Sequence, residues 1–519
     1  MEKVISSRIN RLNGKDTWRQ NLRTVIYASD KVRPCFGPKG SYKMVTYNRG
    51  PEQVIKITKD PIAILDELAI QYPPAVIVSE SAKLQREEAG DGVTAFVVFL
   101  SSLLRKADEL LSMGVHANTI IHGYYLATNK ALEVLDKLAL NIDGLSNKIL
   151  ATVDCGRKLL TSNMCSMITQ AYPYAFTDGR FEKENIRFVK QTGGSLKDSK
   201  LIHGIVVKKE KAHPNMPTNM KNLRIAITSE RLGIDRLEVK MRGEGATPIM
   251  LNVQNAKQMG EYKEEENELK TKCIEKLADL KVNVLLCEQP IEEMQKDKLF
   301  DHGIFALERI DKKDSQAIAK ATGAQIVGSL KELLEQDIGT ADELWSERVE
   351  LEKLTTIQGC KGATFLLRGN VPQAIDELET AIQKSLTVLK LADADSRVLP
   401  GGGAIEAHIV EGLKGYAKTF SGREQIVIEA FSNALMDIPR SLAENYGLNA
   451  TDIILELIKH HAEGAANYGV GEQGCCDNVC FEPIKVKRSV IRRAYEVSAL
   501  LLRIDELLIS KEIPKFHKK

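Results

Sequence analysis

Asp91 stands between two glycines in EEAGDGVTAFVVFLSSLL (residues 87–104), immediately before a long apolar run. A carboxylate in such a turn is a hard oxygen ligand suited to Mg2+, and the N-terminus of a following helix offers unpaired N–H groups to phosphate. Two further glycine-rich turns occur, CFGPKGSYKM (35–44) and VLPGGGAIEAHIV (398–410). In the first, Gly37 and Gly40 permit close backbone approach while Pro38 fixes the turn, so main-chain N–H groups can face an anion. Taken alone, FGPKG reads better as a plain turn, and Asp60 of ITKDPIAIL reads better as a solvated turn acid. Cys475, Cys476 and Cys480, with His460 and His461 upstream, have metal-binding side chains. They lack paired C-x2-C spacing, however, and read better as small buried thiols.

The elements that must position these turns are legible from periodicity. Residues 94–111 carry apolar side chains at helical spacing over a length that excludes a strand. SGREQIVIEAF is predicted to open a helix with a capping box of Ser421 and Glu424, and TDIILELIKHHAEG one capped by Thr451 and stopped at Gly464. The middle of the chain differs: LIHGIVVKK, LRIAITS, VNVLLCEQ, GIFALER and AQIVGSL are short β-rich runs separated by helical stretches such as IEEMQKDKLF. That alternation predicts an α/β unit inserted into a helical domain built from both chain ends. With 519 residues, about three domains are expected.

Composition narrows the function classes. Hydrophobic residues make up 43%, enough for real cores, and 72 Lys and Arg against 70 Asp and Glu leave +2. So balanced a charge marks neither a nucleic-acid nor a membrane binder. No apolar run approaches the roughly 18 residues of a membrane span, and no signal-type start appears, so the chain reads as cytoplasmic. Nine cysteines, an odd number scattered through a long chain, argue against a disulfide framework.

The motifs FGPKG, KDPIAIL, GDGVTAFVV, HPNMP, PGGGAIEAHI and FEPIKVKRS occur in the order and approximate spacing of the group II chaperonins. The chain resembles that family, the thermosome, TCP-1 and cytosolic chaperonin group, over nearly all of its length, and most of all its archaeal members, as a divergent paralogue. The resemblance implies a multidomain α and α/β subunit. Its mostly helical equatorial ATP-binding domain would span 1–143 and 405–519, its small intermediate domain 144–209 and 366–404, and its α/β apical substrate-binding domain 210–365. A helical lid protrusion is expected near 243–266. Such subunits assemble with homologous subunits into stacked rings, here expected to be hetero-oligomeric, and enclose unfolded client proteins.

By the same resemblance ATP and Mg2+ are the cofactors. Gly37, Pro38, Gly40, Lys59, Gly92, Thr94, Gly401, Gly402 and Glu482 fall at nucleotide-binding positions, Glu482 at the acid that meets the ribose. Asp91 falls at the metal ligand, and Asp60 at the acid that helps position metal and attacking water. Several positions depart from the pattern. Val93 and Ala95 replace two of three threonines, and Pro61 replaces a glycine and deletes an N–H. Ser166 replaces a lysine that senses nucleotide. Lys384 stands where the family carries its hydrolytic aspartate, and a cation cannot accept a proton from water. Asp376 and Glu379 lie more than a helical turn from it, and Asp393 and Asp395 are expected in the following loop.

Two readings follow: an ATP-driven folding chaperonin, or a structural or regulatory ring subunit that binds nucleotide weakly and hydrolyses little. A third, an unrelated soluble NTPase, lacks any G-x-x-x-x-G-K-[ST] loop.

Overall fold

The computed structural model describes residues 9–13, 15–49, 52–68, 73–142, 162–177, 180–182, 185–232, 271–349, 352–477, 480–504 and 506–510. The chain forms two compact units, Met1–Ile168 with Asp376–Lys519, and Thr169–Ile375. The inserted α/β unit expected from the middle of the sequence is the second of these. The stretch 243–266, expected to form the lid, lies outside the described residues.

The first unit is helical because its long segments repeat apolar residues every three to four positions. Its centre is the helix Val93–Ser112, whose residues from Phe96 to Leu104 are all buried. Helices Lys15–Val32, Ala117–Leu138, Arg423–Leu435 and Ile484–Leu502 pack around it. Phe99 meets the edge of Phe431 with ring centroids 5.3 Å apart, and the buried Tyr124 hydroxyl donates to the Leu103 carbonyl at 2.8 Å. A short strand Arg397–Pro400 pairs antiparallel with Phe481–Pro483, Leu399 opposite Glu482. This pairing joins the PGGGA turn to the FEP segment some eighty positions away in sequence.

Three boundaries differ from the periodicity reading. The helix Arg423–Leu435 begins after Gly422 without a side-chain cap, so the expected Ser421–Glu424 box does not form. Asn449, rather than Thr451, caps Ala450–Ala462, accepting from the Thr451 N–H at 3.1 Å. The helix Pro372–Ala394 takes in Asp393, which was expected in a loop.

All five β-rich runs of the middle region become strands. The second unit's seven-stranded sheet runs Phe305–Leu307, Val284–Cys287, Asn219–Thr228, Gly339–Val349, Glu352–Gln358 and Gly204–Val207, with Ile326–Val327 beside Asn219–Thr228. Asn219–Thr228, Val284–Cys287 and Phe305–Leu307 pair in parallel; the last two are apolar and buried throughout, as strands covered on both faces must be, and the Ile225–Thr228 end of the first is buried with them while its Asn219–Asn222 start is largely exposed. Among the described residues, no helix is long and apolar enough to cross a membrane.

Candidate functional site

The Asp91 turn is built by close packing. Gly90 and Gly92 both have positive φ, and a Cβ on Gly90 would lie 2.7 Å from Thr387, on Gly92 2.8 Å from Val490. The glycines leave room for the helices Pro372–Ala394 and Ile484–Leu502. Buried Gln85 then fixes the turn. Its Nε2 donates to the Asp91 carbonyl at 3.1 Å, while its Oε1 accepts from Ser489 at 2.7 Å and from Arg493 at 3.2 Å. The helix Val93–Ser112 starts after Gly92 without a side-chain cap, leaving its first N–H groups unclaimed by the helix itself. Thr94 is half-buried there, whereas Val93 and Ala95 belong to the core. Both side chains pack into the helical core.

The FGPKG turn is held from behind. Asn445 donates to the carbonyls of Arg33 at 3.0 Å and Phe36 at 2.8 Å, and a Cβ on Gly37 would meet Leu442 at 2.7 Å. The Gly40 N–H donates to the Gly37 carbonyl at 3.2 Å, closing the turn across Pro38. Nearby, the Lys59 ammonium lies over the Tyr42 ring, 5.5 Å from its centroid. The Tyr42 hydroxyl donates to Glu377 at 2.8 Å; burial, then that carboxylate, pushes the phenol up to about 12. Pro61 occupies the first position of helix Pro61–Leu68, where an N–H would have no intrahelical partner, so the fold accommodates it at little cost.

Asp60 is not a free carboxylate. Its side chain is paired with the Arg86 guanidinium, and its N–H donates to Thr58 Oγ1 at 3.0 Å. Arg86, absent from the sequence reading, sits on the helix Pro73–Ala89 and accepts the Gly90 N–H on its own carbonyl at 2.9 Å. Its signal in the sequence was one of two basic residues in KLQREEAGDG, indistinguishable there from a solvated charge.

Lys384 is placed by the face of its helix. Glu377 reaches Tyr42, Thr387 packs on Gly90, and Leu391 clusters with Ala89 and Val486. Lys384 is two turns after Glu377 and about one before Thr387, so it shares the face that runs from Tyr42 to the Asp91 turn. Of the acids weighed as substitutes, Asp395 is bound to Arg397 at 2.9 Å. Ser166 is exposed on the helix Ser162–Ala171.

At the other turn, a Cβ on Gly401 would lie 2.7 Å from the Cys480 carbonyl and 3.0 Å from Glu482 Oε1. Gly402 accepts the Val470 N–H at 2.8 Å, and helix Ala404–Ala417 follows Gly403 without a side-chain cap. Behind Glu482 is an ion cluster the sequence reading missed. Lys487 binds Glu406 at 2.7 Å and Glu482 at 3.3 Å, with the Lys487 and Glu406 side chains only 5% and 2% exposed. Glu406 Oε2 is buried with no hydrogen-bond partner among the described residues. Burial alone would discharge Lys487, but the two carboxylates outweigh it and hold its ammonium above the usual range. Burial raises Glu482; Lys487 opposes that shift, while Glu406 and Asp91 add to it. The Gly401 end and the Asp91 turn therefore share one field.

The cysteine and histidine segment builds something else. His461 is buried with Nε2 on the Tyr468 carbonyl at 2.8 Å and Nδ1 3.5 Å from His408, and Cys475 donates to the Ile453 carbonyl at 3.5 Å. Among the described residues, no group of three His, Cys, Asp or Glu side chains could hold a metal. A Mg2+ ion arriving with phosphates keeps most of its waters and needs one or two carboxylates. Asp91 fits such a role; Asp60, paired with a guanidinium, does not fit it as it stands.

The family model for TCP-1/cpn60 chaperonins matches residues 29–512. Thermosome subunit alpha of Archaeoglobus fulgidus is 36% identical over 530 aligned residues, covering 99% of this chain and 95% of that protein. The thermosome subunit of Pyrococcus abyssi is 34% identical, covering 99% and 94%. Thermosome subunit beta of Thermococcus kodakarensis is also 34% identical, covering 99% and 95%.

Proposed function

The chain belongs to the TCP-1/cpn60 chaperonin family, and from that premise we propose a division of labour within it. As a group II chaperonin ring subunit, it assists protein folding. In our reading the first unit, with the Gly37, Asp91 and Gly401 turns, is the ATP-binding equatorial part. The segments 144–209 and 366–404 form the intermediate hinge, and 210–365 the apical part that meets unfolded chains, with its lid at 243–266. The rings are hetero-oligomeric and cytoplasmic, with paralogous subunits supplying much of the hydrolysis.

The observation that carries the last point is the pairing of cation and acid at the phosphate end. Asp60 is held by Arg86, and Lys384 stands on the helix face beside the Asp91 turn, where an acid would orient water. ATP binds through the backbone of the Gly37, Gly92 and Gly401 turns, with Lys59 and Thr94 near the phosphates and Glu482 at the ribose. When Mg2+ accompanies the nucleotide, Asp91 is the carboxylate positioned to meet it. Lys384 can hold a phosphate oxygen but accepts no proton.

ATP turnover by the full-length protein, alone and mixed with a thermosome paralogue, tests this. We expect slow turnover alone, raised by about a hundredfold in Lys384→Asp, the low end for a restored general base because Asp60 stays paired. Rapid turnover in the unaltered protein, abolished by Asp60→Ala, would overturn the proposal. Negative-stain micrographs without stacked rings under either mixing condition would remove the assembly it depends on.

A further inference from the structure

Three charged groups run from the core to the surface at the Gly401 end. Glu406, buried on helix Ala404–Ala417, accepts from Lys487 at 2.7 Å, and its second oxygen has no partner among the described residues. Lys487, buried in the first turn of helix Ile484–Leu502, reaches on to Glu482 Oε1 at 3.3 Å. Glu482 alone of the three is open, with 31% of its side chain exposed. Its backbone is fixed on both sides: Leu399 pairs opposite it, Pro483 follows, and the helix begins at Ile484. Its carboxylate is fixed as well. Oε1 lies 3.0 Å from the place of a Gly401 Cβ, so the glycine leaves the room in which Lys487 holds it.

The charges here suit a hydroxyl donor rather than an anion. Two carboxylates share one ammonium, so Glu482 keeps acceptor capacity after pairing, and a carboxylate accepts from hydroxyls while it repels phosphate. Burial works against the charged form of Glu482 and Lys487 supports it, with Glu406 and Asp91 on the side of burial. We infer that Lys487 is a positioning residue for nucleotide specificity: anchored on Glu406, it holds the Glu482 carboxylate in place so that the site selects a ribose carrying both its free hydroxyls. The lysine acts through Glu482 and does not itself meet the nucleotide. The inference rests on the nucleotide-site reading above, which puts Glu482 at the ribose. A carboxylate locked by a buried partner loses little freedom on binding, and a missing hydroxyl then leaves its oxygen unpaired, which is what makes such a site discriminate.

The test is calorimetric titration of the full-length protein, in Mg2+, with ATP and with a dideoxy-ATP lacking both ribose hydroxyls. The unaltered protein should bind ATP at least about tenfold more tightly, the equivalent of one hydrogen bond to a charged group. In Lys487→Met/Glu406→Gln, which leaves no bare ion in the core, ATP should weaken to within about threefold of dideoxy-ATP, whose own affinity stays put. Glu482→Ala should lose the preference too, and adding the double substitution to it should change the ratio no further, because Lys487 works through Glu482. A preference below tenfold in the unaltered protein, a preference kept in the double variant, or both affinities falling together there overturns the inference and leaves the nucleotide site standing. No ATP binding by the unaltered protein overturns the nucleotide-site reading itself. Should the double variant fail to fold by circular dichroism, two single substitutions decide: Glu406→Ala, which removes the anchor, must lose the preference, and Glu406→Gln, whose amide oxygen still accepts from Lys487, must keep it.

Discussion

The two ends of the candidate nucleotide site use the same component, a carboxylate paired with a cation, to opposite effect. At the Gly401 end Lys487 is enclosed by Glu406 and Glu482, so two acids share one base and negative charge is left over. At the Asp91 end Arg86 pairs with Asp60 one to one, so that pair leaves no surplus charge. The first pair is deeply buried; in the second, Arg86 and Asp60 keep 30% and 22% of their side chains exposed. Burial makes the Lys487 cluster a fixture of the fold, whereas partial exposure leaves the Arg86 pair able to open and exchange partners. A nucleotide laid across the site would meet acceptor oxygens for its ribose hydroxyls at one end and donors for its phosphates at the other.

The sharpest way to break the contrast is to remove each cation in turn. Lys487→Met leaves Glu406 and Glu482 facing each other without a counter-ion, and we expect a loss of about 3–5 kcal/mol in chemical denaturation. Adding Glu406→Gln should recover part of it, because the orphaned carboxylate is then neutral. Arg86→Gln should cost no more than about 1 kcal/mol by the same measurement, since its pair is partly solvated. Equal losses would mean the two ends are not built differently after all.

A middle-sized effect is expected where the two ends meet through the Asp91 turn. Gly92→Ala places a Cβ 2.8 Å from Val490 and 3.0 Å from Val486 at a φ of +79°. Strain and overpacking together should cost about 2–3 kcal/mol, and Val490→Ala in the same chain should return part of it. If Val490→Ala returns nothing, the backbone conformation rather than the contact dominates.

The sequence disclosed the turns and the helical or β character of the segments because those are local properties. Glycine spacing marks a tight turn wherever it occurs, and the five β-rich runs between 201 and 330 became strands as their composition requires. What it could not disclose were partners distant along the chain. Arg86 meets Asp60 across 26 positions, Lys487 meets Glu406 across 81, and Glu406 in AIEAHIV resembles any helix-surface acid until the fold buries it. The cap at Asn449 was missed by two positions because Asn and Thr are both competent caps and only the local backbone chooses between them. In the sequence GDG shows only two glycines flanking an acid. Only the packed helices reveal that Thr387 and Val490 need the same space.

The smallest expected effect separates the ends by pH. His461 supports the Gly401 end alone: it holds the Tyr468 carbonyl, two residues before the Val470 N–H that bonds Gly402. Burial lowers the His461 pKa below its ordinary 6.5; the Tyr468 carbonyl and Glu411 oppose this, while His408 and His460 add to it. Burial also lowers His408, with Glu411 opposing. In both cases the unfolded chain binds the proton more readily than the folded one. Their contribution is therefore complete above the ordinary histidine value and is lost as pH falls through the depressed folded values. Thermal or urea unfolding compared at neutral and mildly acidic pH should show about 1 kcal/mol lost on acidification. His461→Gln, which keeps a donor for Tyr468 without titrating, should flatten that dependence. An unfolding pH dependence as steep in His461→Gln as in the unaltered protein would place the titrating group elsewhere.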